Sequence, residues 1–159
     1  MKIVEMHSFF GKLLLADRGD GLAGAWFIGQ RHFPAGASDW RQESTPLLDS
    51  AAEQLAAYFA GEWTWFDLPL ATVGTPFQQA VWRQLVDIPY GQTRSYGQIA
   101  QALGKPSASR AVGMAVGRNP WSVIVPCHRV LGSSGQLTGY AGGLDRKRRL
   151  LALESEPAC

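Results

Sequence analysis

The stretch Ile124–Val130 places a cysteine directly before a histidine at the end of an apolar run. A thiolate is a strong nucleophile, and a nearby imidazole can take the proton of the thiol directly or through one water. Cys127 and His128 are therefore candidates for a nucleophile and its general base. A single cysteine after β-branched residues also occurs as a small buried hydrophobic side chain. The rest of the chain has to decide between these two interpretations.

Composition narrows the class of protein. The chain has 159 residues, 46% of them hydrophobic, which is enough for one good core or two small ones and excludes a disordered or fibrous chain. Only Cys127 and Cys159 could form a disulfide, and Cys159 is the last residue, so we expect none and predict a cytoplasmic protein. With so few ligands we expect no metal site. No apolar run is long enough to cross a bilayer, so we expect no membrane partner.

The charges are divided unevenly along the chain. Residues 1–72 contain five basic and nine acidic side chains, whereas residues 73–159 contain ten basic and four acidic ones. The second half is thus the part that could bind a polyanion. A solvated basic face without a partner is the alternative that charge alone leaves open.

The first half alternates strand and turn signals before a helix. Residues 12–16 and 22–28 flank an Asp/Gly-rich turn, which predicts a hairpin. Thr45 is positioned to cap a helix that begins at Pro46, with its buried face formed by Leu48, Ala51, Ala52, Leu55 and Phe59. Residues 68–74 form the predicted linker, so we divide the chain into domains at 1–72 and 73–159.

The second half is rich in helix signals. Thr75 with Gln78, and Ser95 with Gln98, have the spacing of capping boxes. Ser107 is the predicted cap of a further short helix, from Ala108 to about Val116.

Two short helices separated by a tight turn in a basic region have the dimensions of a helix-turn-helix. The second helix opens with small residues and one arginine, which would allow close approach to a nucleic-acid backbone. The candidate DNA-binding residues are Ser107, Ala108, Ser109, Arg110 and Gly113. Close packing of this helix on another helix is the alternative.

Several short motifs together resemble one family. In chain order they are Ser95-Tyr96-Gly97-Gln98, Ser109-Arg110-Ala111-Val112-Gly113, Arg118-Asn119-Pro120, Pro126-Cys127-His128-Arg129-Val130, Tyr140-Ala141-Gly142-Gly143-Leu144 and Leu150-Leu151-Ala152-Leu153-Glu154. Their order and spacing over residues 75–154 resemble the O6-alkylguanine-DNA alkyltransferases, also called methylated-DNA-protein-cysteine methyltransferases.

The resemblance implies single-turnover DNA repair, in which a flipped guanine loses its O6-alkyl group to a cysteine. By that correspondence Cys127 is the acceptor, His128 acts on it through a water, and Glu154 fixes the imidazole tautomer. Asn119 would connect the recognition helix to the active-site loop. O4-alkylthymine is a further candidate substrate.

The resemblance also assigns the base pocket. Arg110 would replace the flipped guanine in the stack, while Tyr96 would donate a hydrogen bond to the guanine ring. The carbonyls of Cys127 and Val130 would accept from the exocyclic amine. The remaining pocket residues are Tyr140, Ala141 and Lys147.

The implied fold class is α+β, with a small ribonuclease H-like α/β domain followed by a mainly helical domain with a winged helix-turn-helix. The implied partner is double-stranded DNA carrying O6-alkylguanine, bound by a monomer without a cofactor, and cooperative binding along DNA is left open. The alternatives are a non-catalytic protein that binds alkylated bases, a thiol hydrolase that uses Cys127 and His128, and a DNA-binding module with an inert cysteine.

Overall fold

The computed structural model describes residues 1–155, so Cys159 and its pairing lie outside the described residues. The described chain divides into two compact units. The first consists of Met1–Val73 together with Pro120–Ile124, and the second of Gly74–Asn119 and residues 125–155. The predicted α+β class is confirmed, because strands dominate the first unit and helices the second.

A four-stranded sheet forms the centre of the first unit. Its strands are β1 (Lys2–Met6), β2 (Leu13–Asp17), β3 (Leu22–Phe27) and β4 (Arg41–Gln42), in the order β3-β2-β1-β4. β2 is antiparallel to both β1 and β3, and β4 is parallel to β1. The predicted hairpin corresponds to β2 and β3 and is confirmed.

Helix α1 (Pro46–Phe59) begins and packs largely as predicted. The Thr45 side chain accepts a hydrogen bond from the Leu48 amide at 3.1 Å. The fully buried positions are Leu48, Ala51, Leu55 and Tyr58. Ala52 and Phe59, also predicted on this buried face, are only half-buried, so the prediction was wrong for these two positions and missed Tyr58. The Phe59 ring stacks on Phe10 with a centroid distance of 5.0 Å.

The segment Pro120–Ile124 belongs to the first unit, and residues 121–124 of it are buried. The Ala25 amide donates to the Pro120 carbonyl at 2.8 Å, and the Trp121 indole donates to the Leu22 carbonyl at 2.7 Å. Val123 has a φ of 72°, which is unfavourable for a β-branched side chain. Surrounding contacts must therefore hold this backbone in place.

The second unit contains four α-helices and a two-stranded pair among the described residues. The helices are α2 (Pro76–Val86), α3 (Tyr96–Ala102), α4 (Ser109–Gly117) and α5 (Leu144–Ser155), and β5 (Arg94–Ser95) pairs in parallel with β6 (Val130–Leu131). Both predicted capping boxes, at Thr75 and Ser95, are present.

Helix α4 corrects one prediction. It begins at Ser109, with Ala108 as the residue before its first turn, and no side chain caps it, so the assignment of Ser107 as the cap was wrong. The physical reason is a turn over residues 105–108, in which the Ala108 amide donates to the Lys105 carbonyl at 2.9 Å. That turn delays the start of the helix beyond Ser107.

Helix α4 packs against α2 and α3, and residues 103–108 separate α3 from α4. This arrangement has the two helices of the predicted motif, while the winged form of that motif stays a prediction. No helix within residues 1–155 combines the length and apolar character needed to span a membrane.

Candidate active site

Cys127 opens a short 3-10 helix, Cys127–Arg129, directly before β6. Its amide donates to the Val125 carbonyl at 2.7 Å. In the parallel pair Arg94 lies opposite Val130, and this register places the residues that follow the two strands side by side. Those residues include Tyr96 after β5 and Ser133 after β6, which line one surface depression.

His128, Arg129 and Glu154 form a buried cluster. The Nε2 atom of His128 lies 2.7 Å from Oε2 of Glu154, and Nε of Arg129 donates to Oε1 of Glu154 at 2.7 Å. All three residues are buried. The last turn of α5 supplies Glu154, whereas the 3-10 helix supplies the other two.

The charges in this cluster follow from burial and pairing. Burial opposes ionisation of Glu154, but hydrogen bonds from His128 and Arg129 outweigh it and lower its pKa to about 2. Burial lowers the pKa of His128 below its ordinary value despite the neighbouring carboxylate. A neutral His128 must donate from Nε2 to the ionised Glu154, which leaves Nδ1 as the acceptor nitrogen. The imidazole is thus in the form that can take a proton.

The Cys127 thiol is almost fully enclosed, with 4% of the residue exposed. Burial raises its pKa, while a hydrogen bond from the Asn119 side chain and the positive charge of Lys147 act in the opposite direction. The Asn119 amide also donates to the Val125 carbonyl at 2.8 Å. Because Asn119 follows α4 by two residues, it ties the end of that helix to the segment before the cysteine.

Lys147 and the hydroxyl of Tyr140 complete the buried group. The Lys147 ammonium is fully buried and donates to the Thr138 carbonyl at 2.8 Å, and desolvation lowers its pKa to about 8. The Tyr140 hydroxyl is buried and makes no hydrogen bond within residues 1–155. Burial raises the pKa of Tyr140 well above its ordinary value, and the nearby Cys127 adds to this effect.

The candidate DNA-binding residues lie on a different part of the same unit. An open depression of about 330 Å³ is lined by Tyr96, Gly97, Ser109, Arg110, Gly113 and Ser133. Arg110 is exposed, and a Cβ atom built on Gly113 would lie 3.7 Å from the Tyr96 ring, in ordinary contact. Ser107 is exposed and Ala108 half-buried, and neither lines the depression.

The predicted site residues therefore fall into two groups. Cys127, His128, Asn119, Lys147 and Glu154 are buried, while Tyr96 and Arg110 face the depression, whose lining does not include Cys127. Val130 is buried at the start of β6, and Ala141, which follows Tyr140, is half-buried. Within residues 1–155 no three His, Cys, Asp or Glu side chains are grouped so as to hold a metal ion.

Sequence reasoning missed Arg129 and Thr138. Arg129 lies within ten consecutive buried residues, 121–130, and a charged residue in so apolar a stretch is a signal that a buried partner exists. Thr138 carries no such signal, because its neighbours are typical of a surface loop.

Comparisons with known proteins cover almost the whole chain. Residues 3–72 match the family model described as the ribonuclease-like domain of 6-O-methylguanine DNA methyltransferase, and residues 76–156 match the model described as its DNA binding domain. A methylated-DNA–protein-cysteine methyltransferase of Mycolicibacterium paratuberculosis is 54% identical over 149 residues, which cover 94% of this chain and 89% of the relative.

Solved structures agree with these matches. A crystal structure of a Mycobacterium tuberculosis O6-methylguanine methyltransferase superposes with a TM-score of 0.90 at 48% identity, covering 99% of this chain and 96% of the other. A crystal structure of the M. tuberculosis OGT in complex with DNA has a TM-score of 0.89 at 49% identity, with coverages of 98% and 93%. The chain therefore belongs to the O6-methylguanine DNA methyltransferase family.

Proposed function

We propose that this protein repairs O6-alkylguanine in double-stranded DNA by moving the alkyl group irreversibly to Cys127. The observation that carries the proposal is the placement of the buried Cys127 next to His128, whose Nε2 is held by the ionised Glu154. This is the order of nucleophile, base and orienting carboxylate that thiol chemistry needs. Membership of the family supports the same activity.

The reaction balances without a cofactor. The Cys127 proton passes through a water to Nδ1 of His128, and Sγ attacks the alkyl carbon. The bond from that carbon to O6 breaks, and O6 keeps the electron pair. A proton then reaches the guanine, so overall one proton moves from the Cys127 thiol to the departing guanine. Tyr96 donates a hydrogen bond to the ring as guanine leaves.

The same chemistry limits the protein to one event. The product is a thioether, which water does not hydrolyse, so Cys127 is not regenerated and one protein molecule is consumed per lesion. Burial raises the pKa of the Cys127 thiol, so formation of the thiolate depends on removal of the proton by His128.

DNA binding is assigned to the second unit. We expect α4 to approach the minor groove with its exposed Arg110, which fills the space left when the target guanine flips out of the stack. The open depression beside Arg110 is also lined by Ser109 and Gly113, so it belongs to the surface that we expect to meet the DNA. The protein acts as a monomer in this proposal.

The deciding experiment is incubation with duplex DNA that carries radiolabelled O6-methylguanine. We expect the label on the peptide that contains Cys127, at about one label per protein molecule, the stoichiometry of a covalent nucleophile that is not released. Label that stays on the DNA despite tight binding would indicate a non-catalytic damage-binding protein. Released label over many turnovers would indicate a hydrolase.

A further inference from the structure

Thr138 contacts both groups of candidate site residues. Its Oγ1 donates to the Tyr96 hydroxyl at 3.3 Å, and its carbonyl oxygen accepts from Nζ of Lys147 at 2.8 Å. Tyr96 lines the open depression, whereas Lys147 is fully buried and lies within electrostatic range of Cys127. Thr138 thus connects the face that we expect to meet the DNA with the interior that holds the nucleophile.

We infer that Thr138 is a positioning residue that aims the Tyr96 hydroxyl during alkyl transfer. The inference rests on the proposed function of Tyr96 as the donor to the departing guanine. A phenol oxygen carries one proton and also accepts hydrogen bonds. When Thr138 donates to that oxygen, the proton of Tyr96 points away from Thr138 and remains available for a hydrogen bond to the base.

The backbone carbonyl of Thr138 is held by Lys147. A buried ammonium is costly unless its protons are bound, and hydrogen bonds from a charged donor are stronger than neutral ones. Lys147 meets this need with the carbonyl of Thr138 at 2.8 Å and that of Gly139 at 3.5 Å. The β-branched side chain of Thr138 also has few rotamers, so a fixed backbone leaves its hydroxyl few alternative positions.

This role predicts an effect on rate rather than on binding. The hydrogen bond from Tyr96 gains strength as negative charge develops on the purine, so its alignment matters most in the transition state. We therefore expect removal of the Thr138 hydroxyl to slow alkyl transfer while leaving the affinity for the base nearly unchanged.

The test measures modification of Cys127 by free O6-benzylguanine at several concentrations. Thr138→Val keeps the shape and removes the hydroxyl, and Thr138→Ser restores it. We expect Thr138→Val to lower the maximal rate of Cys127 modification about tenfold, which corresponds to the net free energy of one hydrogen bond. The concentration of O6-benzylguanine that gives half the maximal rate should change little. Ser should recover most of the rate. Thr93→Val, at an exposed threonine of the same unit, is the matched control and should react like the unchanged protein.

A double-mutant cycle gives a second, independent readout. In a Tyr96→Phe background Thr138→Val should add no further loss, because the hydroxyl that it aims is already absent. Additive losses, an unchanged rate in Thr138→Val, or a failure of Ser to restore activity would each overturn the inference. If the unchanged protein is not modified at all, the proposed function itself fails, which is a different result.

Discussion

Arg129 binds the carboxylate of Glu154 through two nitrogens, Nε to Oε1 at 2.7 Å and Nη2 to Oε2 at 2.9 Å. Its third nitrogen, Nη1, donates to the Ile88 carbonyl at 2.7 Å, and the guanidinium lies 5.6 Å from the Tyr90 ring centroid. The carboxylate that faces His128 is therefore held in place by a planar group that is itself anchored to the body of the unit.

Replacing Arg129 by Met should destabilise the fold. The change removes the guanidinium from the buried Glu154 carboxylate, and removal of one member of a buried pair costs about 3–5 kcal/mol. Urea unfolding at pH 7 measures the effect. Arg148→Met, at an exposed arginine of the same helix as Glu154, is the control and should change stability little. A loss no larger than that of the control would contradict the prediction.

Replacing Glu154 by Gln should slow alkyl transfer, since a neutral amide fixes the His128 tautomer less firmly than a carboxylate. The change should also remove an acid-dependent part of stability. The folded pKa of about 2 lies below the ordinary 4.5, so the contribution of Glu154 is present above pH 4.5 and is lost as the pH falls towards 2. Unfolding of both proteins across this window tests the second expectation, and an unchanged transfer rate would remove Glu154 from the relay.

Replacing Cys127 by Ser should abolish transfer and leave DNA affinity largely intact, because affinity for DNA arises mainly from phosphate contacts. Intact mass analysis after exposure to DNA with O6-methylguanine measures the first effect. A fluorescence anisotropy titration with the same duplex measures the second. Loss of both properties together would contradict the separation of chemistry from binding.

Replacing Arg110 by Ala should reduce repair of duplex DNA more than reaction with free O6-benzylguanine, because only the duplex requires a flipped base. Rates with the two substrates give the comparison. Arg83→Ala removes an exposed arginine on α2 and serves as the control for charge. Equal losses on both substrates would exclude the proposed role of Arg110 in the stack.

Replacing Lys147 by Met should remove a rise in the free energy of unfolding that the wild-type protein shows at alkaline pH. The folded pKa of about 8 is below the ordinary 10.5, so between these values the unfolded chain binds more protons than the folded one. Wild-type stability should therefore rise relative to the variant across this window, by up to roughly 3 kcal/mol. Unfolding free energies at pH 7.5 and pH 10 provide the measurement, and a difference independent of pH would contradict it.

The sequence predicted correctly those features, such as helix caps and a hairpin, that depend on residues close together in the chain. The capping boxes at Thr75 and Ser95 were found because a cap and its partner lie three residues apart in the chain. The hairpin of β2 and β3 was found for the same reason. Ser107 was misassigned because its composition suits a cap, yet the turn at Lys105 delays the helix.

Long-range contacts left no comparable pattern. Nothing near Lys2 predicts its parallel pairing with Arg41, and nothing in the apolar run before Cys127 indicates that Pro120–Ile124 belongs to the first unit. The chemical pair Cys127 and His128 was visible because its members are adjacent. The contact between Arg129 and Glu154 joins residues 25 positions apart, and only the structure reveals it.

Helix α5 carries Lys147 and Glu154 seven positions apart, two turns on one face, with the fully buried Leu150 between them. Lys147 at one end binds the carbonyl of Thr138, and Glu154 at the other end binds the imidazole of His128 beside the nucleophile. The helix therefore sets a spacing of about 10 Å along its axis between these two contacts. A cavity made at Leu150 should therefore misalign both ends at once, even though that side chain takes no part in the chemistry.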